Sequence, residues 1–110
     1  MERRARQKRL IELVRALPAV QVQNRLMACT DRDIALSLAG TTSEEEASVL
    51  VHLARRKADR VREELALEER RHVDEKHIVY SLDLLIASLL GDRVMTGRRS
   101  YVRPRRPDRD

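Results

Sequence analysis

The sequence predicts an all-α fold, a compact bundle of about six helices, and three observations support this. Apolar residues recur at intervals of three and four along most of the chain, as they do on a helix with one buried face. Only three glycines and three prolines occur in 110 residues. Apolar residues make up 42% and charged residues 37%, with no Trp or Phe, so one domain with an aliphatic core is expected.

The first half of the chain predicts three helices. The first ends before Pro18, which can begin the second helix because its missing N–H is harmless there. Thr30 is an N-cap for the third helix, with Asp33 three residues later, and Gly40 ends it. The apolar positions are Leu10, Leu13, Val14 and Leu17 in the first helix, Val22, Leu26 and Met27 in the second, and Ile34, Ala35 and Leu38 in the third.

The second half predicts two or three helices. Thr42, followed by three glutamates, begins the next helix, because the helix dipole favours carboxylates in the first turn. The sequence leaves open whether one long helix follows or two with a bend near Ala54. The charged segment Glu68–His72 predicts a loop, Asp74 caps a last helix and Gly91 ends it. The apolar positions are Val49, Leu50, Leu53, Ala54, Ala58, Val61, Leu65, Ile78, Leu82, Leu85, Ile86 and Leu89.

Charge divides the chain into three parts. Residues 1–9 carry five Lys or Arg and one Glu, residues 92–110 carry seven Arg and three Asp, and residues 10–91 carry eleven basic and fourteen acidic residues. We therefore expect a basic leader over 1–9, a mildly acidic helical domain over 10–91, and a basic, disordered tail over 92–110.

No motif for catalysis, a metal or a cofactor is present. His52, His72 and His77 lack the four-residue spacing of a helical metal pair and are expected to be solvated. The single Cys29 cannot form an internal disulfide, which fits the reducing cytoplasm, and is expected to be a small core residue. We expect a non-enzymatic protein with no cofactor.

Four charged residues follow one strip of the helix predicted after Ala54. Arg56, Arg60, Glu63 and Glu64 lie opposite the apolar side of this helix. A solvated face with intrahelical ion pairs, worth about 0.2–0.5 kcal/mol each, accounts for such a strip. Its other interpretation is a contact surface for a partner of complementary charge, which steers and orients a transient complex.

The order of the segments resembles that of the C-terminal domain of the flagellar motor switch protein FliG, over roughly residues 10–90. The opening IELVRALPAVQVQNRL is similar to that family's first two helices, and DIALSLAG to its Asp-Leu-Ala-Leu-Ala-Leu-Lys-Gly segment. SEEEASVLVHLARRKA is similar to its acidic helix start and Leu-x-x-Met-Ser-x-Arg-Ala-Ala segment, and VREEL to its Leu-Arg-Glu-Asp-Leu end.

This resemblance implies an armadillo-like helical domain that acts in the bacterial flagellum, in motility and chemotaxis. Arg56 matches the family's key arginine, and Glu63 and Glu64 match its two acids, which face the cytoplasmic loop of the stator protein MotA in torque generation. It implies a cytoplasmic location, peripheral to the inner membrane at the flagellar basal body, with MotA, FliM or other FliG copies as partners. The family's lysine before the glycine is Ala39 here, and this sequence contains no counterpart of the family's N-terminal and middle domains. We therefore expect either a stand-alone, divergent relative or a fragment, and Met1 with its basic leader favours the stand-alone relative.

Two other functions are compatible with the residues. The first is a small helical scaffold whose basic ends bind nucleic acid or anionic surfaces; without aromatic residues to stack on bases, this binding would be non-specific and salt-dependent. The second is an adaptor whose apolar helix faces pack on a partner's helices or on a second copy, by self-association.

Overall fold

The computed structural model describes residues 2–91, and in this part of the chain it confirms an all-α bundle of six helices. Its helices are connected by short turns, and no strand occurs within the described range. The helices are α1 Glu2–Ala16, α2 Ala19–Met27, α3 Asp31–Ser37, α4 Ser43–Leu50, α5 Arg55–Arg71 and α6 Glu75–Leu89.

Helix α6 lies at the centre of the packing. It contacts α1, α2 and α3, while α3 also packs against α5 and α1 against α4. The core between these helices is aliphatic, as the composition predicts, and α6 contributes side chains that have no exposure at all. The largest fully buried side chains are Leu10, Leu26, Ile34, Leu38, Leu82, Leu85, Leu89, Val22, Val49 and Val61.

Side chains cap three helix starts where the sequence predicts them. Thr30 Oγ1 accepts a hydrogen bond from the Asp33 N–H at the start of α3. Thr42 and Glu45 form a complete capping box at α4, in which each side chain accepts from the other residue's backbone N–H. The Asp74 carboxylate accepts from the Lys76 N–H at α6. These bonds satisfy N–H groups that have no partner inside the helix.

The segment that follows Thr42 forms two helices, which settles the alternative that the sequence leaves open. Helix α4 ends at Leu50, and residues 51–53 form a turn with i to i+3 hydrogen bonds. Ala54 is extended, with φ −60° and ψ 149°, so α5 begins in a new direction. Val51 is exposed in this turn, whereas Leu50 and Leu53 are both packed into the core.

Residues 2–9 are not separate from the helical domain, since they form the first half of α1. The arginines among them bind acids of other helices: Arg4 makes a two-bond contact with Glu45 of α4, and Arg6 Nε lies 2.7 Å from Asp83 Oδ1 of α6. Gln7 is buried, and its amide donates to the Ser37 carbonyl at the end of α3 and to the Ala39 carbonyl just beyond it. Three of the five cations in residues 1–9, counting Arg3 beside Glu75, are thus paired, which leaves fewer to bind a polyanion.

Two further details differ from the sequence predictions. The segment Glu68–His72 is not a loop: α5 continues to Arg71, and His72 ends it in the left-handed conformation at φ 55°. The charges in this segment misled the prediction, because Glu68 lies on the buried side of the helix. Met27 is 39% exposed and does not join the core with Val22 and Leu26. The expectation of disorder in 92–110 concerns residues outside the described range.

Among residues 2–91, no helix combines the length and the apolar character needed to cross a membrane.

The contact between Arg4 and Glu45 predicts an acid-dependent loss of stability. Hydrogen bonds from Arg4 and from the Thr42 backbone lower the pKa of Glu45 from 4.5 to about 2. A carboxyl whose pKa is lower in the folded state stabilises it above the unfolded pKa, and this contribution disappears as the proton binds. We expect the free energy of unfolding to fall between about pH 4.5 and pH 2, less steeply in Glu45→Gln, which keeps the capping acceptor.

Chemical denaturation at a series of pH values measures this slope. Glu44→Gln, at the exposed neighbouring position on α4, is the matched control and should keep the wild-type slope. Equal slopes for wild type and Glu45→Gln would contradict the assignment.

Candidate partner-binding face

Helix α5 presents the predicted charged residues on one side. Arg56, Arg60 and Glu63 are exposed and lie within an arc of about 60° around the helix, since successive residues are about 100° apart. Glu64 lies further round toward the core and is half-buried. We call these four residues the charged face. Opposite them, Ala58, Val61 and Leu65 are buried in the core, as the sequence predicts.

The charged face is fixed to α3 by one carboxylate. Asp31 Oδ1 accepts from Lys57 Nζ at 2.8 Å, and Asp31 Oδ2 accepts from Arg60 Nε at 2.8 Å. Lys57 also donates to the Cys29 carbonyl at 2.8 Å, so its buried ammonium group has two acceptors. The bonds from Lys57, and next those from Arg60, hold the pKa of Asp31 below its ordinary value. Asp31 therefore stays ionised and joins the two helices.

The four predicted residues differ in whether they already have a partner in the fold. Arg60 is paired with Asp31, whereas Arg56 and Glu63 form no ion pair or side-chain hydrogen bond within residues 2–91. The side chain of Glu64 interacts with Glu68, which raises the pKa of Glu64 above its ordinary value. The residues of the face that remain available to a partner are Arg56 and Glu63, about 10 Å apart along the helix axis.

Sequence reasoning missed three residues that shape this face. Asp31 and Lys57 were not recognised because 26 residues separate them in the chain, and no local pattern reports such a contact. Glu68 was assigned to a loop. The one available signal was the position of Lys57 and Glu68, which both lie next to the apolar Val61 on the helix circumference, where a charged side chain must find a buried partner.

The histidines and the cysteine occupy unremarkable positions. His72 and His77 are exposed and His52 is half-buried, while Cys29 is buried, and this burial raises the pKa of its thiol. Within residues 2–91, no three His, Cys, Asp or Glu side chains converge as metal ligands would.

Comparisons of the chain with protein-family models, with curated proteins and with solved structures find no match. The resemblance to the FliG C-terminal domain therefore depends on the residues quoted above and on their order.

The Asp31 contact predicts that one carboxylate stabilises the fold more than the exposed arginine it binds. In Asp31→Ala, the buried Lys57 ammonium loses its anionic partner, and we expect a loss of about 2–3 kcal/mol in the free energy of unfolding. Arg60→Gln removes only the exposed part of the contact and should cost less than about 1 kcal/mol. Urea denaturation of both variants measures the difference. Equal losses would show that Lys57 does not depend on Asp31.

Proposed function

We propose that this protein is a non-enzymatic relative of the FliG C-terminal domain, whose charged face on α5 binds a protein partner of complementary charge. The partner class is the cytoplasmic loop of a MotA-type stator, and the role is torque generation or an accessory function in the flagellar rotor. The protein would act in the cytoplasm, at the flagellar basal body. FliM and other FliG-like chains are the remaining partners that the resemblance suggests.

The observation that carries this proposal is the exposure of Arg56 and Glu63. These two residues have opposite charges, lie on the same side of α5 and have no ion-pair partner within residues 2–91. Their backbone belongs to a helix that the Asp31 contact attaches to α3, so the positions from which the two side chains extend are fixed.

Exposed charges of this kind suit a contact that forms and breaks rapidly. Solvent and salt screen them, so each adds little affinity, but together they orient the approach of a partner. A partner with a carboxylate opposite Arg56 and a cation opposite Glu63 would bind in one register only. A stepping interface needs this combination of defined orientation and low affinity.

Charge reversal on this face tests the proposal. We expect Arg56→Glu to weaken binding of the stator loop on the order of tenfold at low salt, because the reversal replaces attraction with repulsion. Reversing the facing carboxylate of the loop should restore binding. Titration of the full chain with the loop of the same organism's stator, at two salt concentrations, measures both effects, and the difference should shrink as salt rises.

Arg62→Glu is the matched control, since Arg62 is exposed on the same helix but roughly 120° away from Arg56. It should leave the affinity near the wild-type value. Equal effects of Arg56→Glu and Arg62→Glu would indicate a general charge effect. If joint reversal of Arg56, Glu63 and Glu64 changes neither loop binding nor swimming, the proposed role is wrong.

A further inference from the structure

Glu68 is a buried carboxylate with no hydrogen-bond donor. It lies four residues before His72, where the α5–α6 turn begins, on the core side of α5, and the residue is only 3% exposed. Both carboxylate oxygens are closed off from solvent, and neither accepts a hydrogen bond within the described part of the chain. An ionised carboxylate in such a place is strongly disfavoured unless a donor or a proton reaches it.

The nearest cations do not satisfy this carboxylate. Arg71 Nη1 lies 3.6 Å and Arg32 Nε 3.7 Å from the same oxygen, Glu68 Oε2. Both distances exceed the roughly 2.7–3.2 Å of a hydrogen bond. Both arginine side chains are more than half exposed, so solvent screens much of their charge. Both arginine contacts involve Oε2, so the second oxygen, Glu68 Oε1, has no hydrogen-bond donor within the described residues.

Glu64 is placed to supply the missing donor. It precedes Glu68 by four residues, about one helical turn, so the two side chains are neighbours on α5. The side-chain interaction with Glu68 is the largest cause that raises the pKa of Glu64, followed by burial and by repulsion from the Glu68 charge. Arg71 and Arg32 oppose this rise. A protonated Glu64 can donate its O–H to Glu68, which an ionised Glu64 cannot.

We propose that Glu64 and Glu68 share one proton, and that this proton decides whether Glu64 contributes a negative charge to the charged face. While the proton is held, Glu64 is neutral and donates to Glu68, so Glu63 is the only acid of the neighbouring pair that a partner meets. When the proton leaves to solvent, the two carboxylates repel each other and Glu64 turns outward beside Glu63. The exposed face then carries one more negative charge.

The other charged groups around Glu68 do not replace this proton. On α5 itself, Glu69 is exposed, and from α3 only Arg32 approaches. A cavity of about 380 Å³ adjoins the site, but the Glu68 oxygens are closed to solvent and thus to a ligand in that cavity. The titratable and charged residues that surround Glu68 or line this cavity are Glu64, Glu69 and Arg71 of α5, Arg32 of α3, Arg3 of α1 and His72 of the α5–α6 turn.

The shared proton also fixes the sign of a pH effect on stability. A carboxyl with a raised pKa in the folded state stabilises it below the unfolded pKa, and this contribution is lost as pH rises through the folded pKa. The pH range in which Glu64 reduces the free energy of unfolding therefore begins at its usual pKa of 4.5 and extends upward. This is the opposite direction to the effect of Glu45, whose window lies below the same value.

Carbon-detected NMR titration of the glutamate carboxyls, on the full chain, tests the proposal. We expect Glu64 to titrate above the ordinary glutamate range in wild type, because the neighbouring Glu68 carboxylate favours the protonated form of Glu64. In Glu68→Gln, the amide donates to Glu64, so the Glu64 titration should move down to the ordinary range or below. Glu64→Gln gives Glu68 a permanent donor and should raise the midpoint of thermal unfolding at neutral pH by about 4–8 °C.

Glu69→Gln removes an exposed acid next to Glu68 and is the matched control, which should leave the Glu64 titration unchanged. An unchanged Glu64 titration in Glu68→Gln would overturn the proposal, as would a lower unfolding midpoint in Glu64→Gln. Either result would indicate that Arg32 and Arg71 neutralise Glu68 directly. These measurements need no binding partner, so their outcome is independent of the proposed function. Only the effect of the Glu64 charge on partner binding rests on that function.

Discussion

The position of α5 in this bundle depends on a carboxylate that lies outside the helix. Asp31, in the first turn of α3, accepts one hydrogen bond from buried Lys57 and one from exposed Arg60. An ammonium group as buried as that of Lys57 has to be compensated, and Asp31 together with the Cys29 carbonyl does so. The same contact that satisfies the core therefore also sets the direction in which α5 presents Arg56 and Glu63.

Two acids on the same helix show how strongly surroundings control a carboxyl group. Glu63 is exposed and solvated. Glu68 is buried, and the two nearest arginines lie too far from its carboxylate for a hydrogen bond. Glu64 stands between these environments on the helix circumference, and the neighbouring Glu68 raises the pKa of Glu64. Elsewhere, Glu45 is held ionised by Arg4 and by the backbone of the helix start. Identical side chains thus have pKa values shifted in opposite directions, down at Glu45 and up at Glu64, within one small domain.

The elements that sequence patterns predicted are those set by local forces. Helix period and capping act over a few residues, so the starts at Thr30, Thr42 and Asp74 could be predicted, as could most of the core. What could not be predicted depends on contacts between distant segments. The burial of Glu68 and the pairing of Asp31 with Lys57 require the fold to be known, because charge alone indicates exposure. For the charged face, the pattern placed the residues on one helix but not their internal partners.

Within residues 2–91, α1 is held by contacts with helices that are distant in sequence. Arg6 binds Asp83 across 77 residues, Arg4 binds Glu45 across 41, and α1 packs extensively on α6. During synthesis, α1 leaves the ribosome before the other five helices but meets its main neighbour only when α6 has emerged. Until then, the apolar side of α1, with Leu10 and Val14, has no α6 to cover it. The packing of α1 is therefore expected to be completed only after α6 is available, so that the earliest segment of the bundle is among the last to be secured.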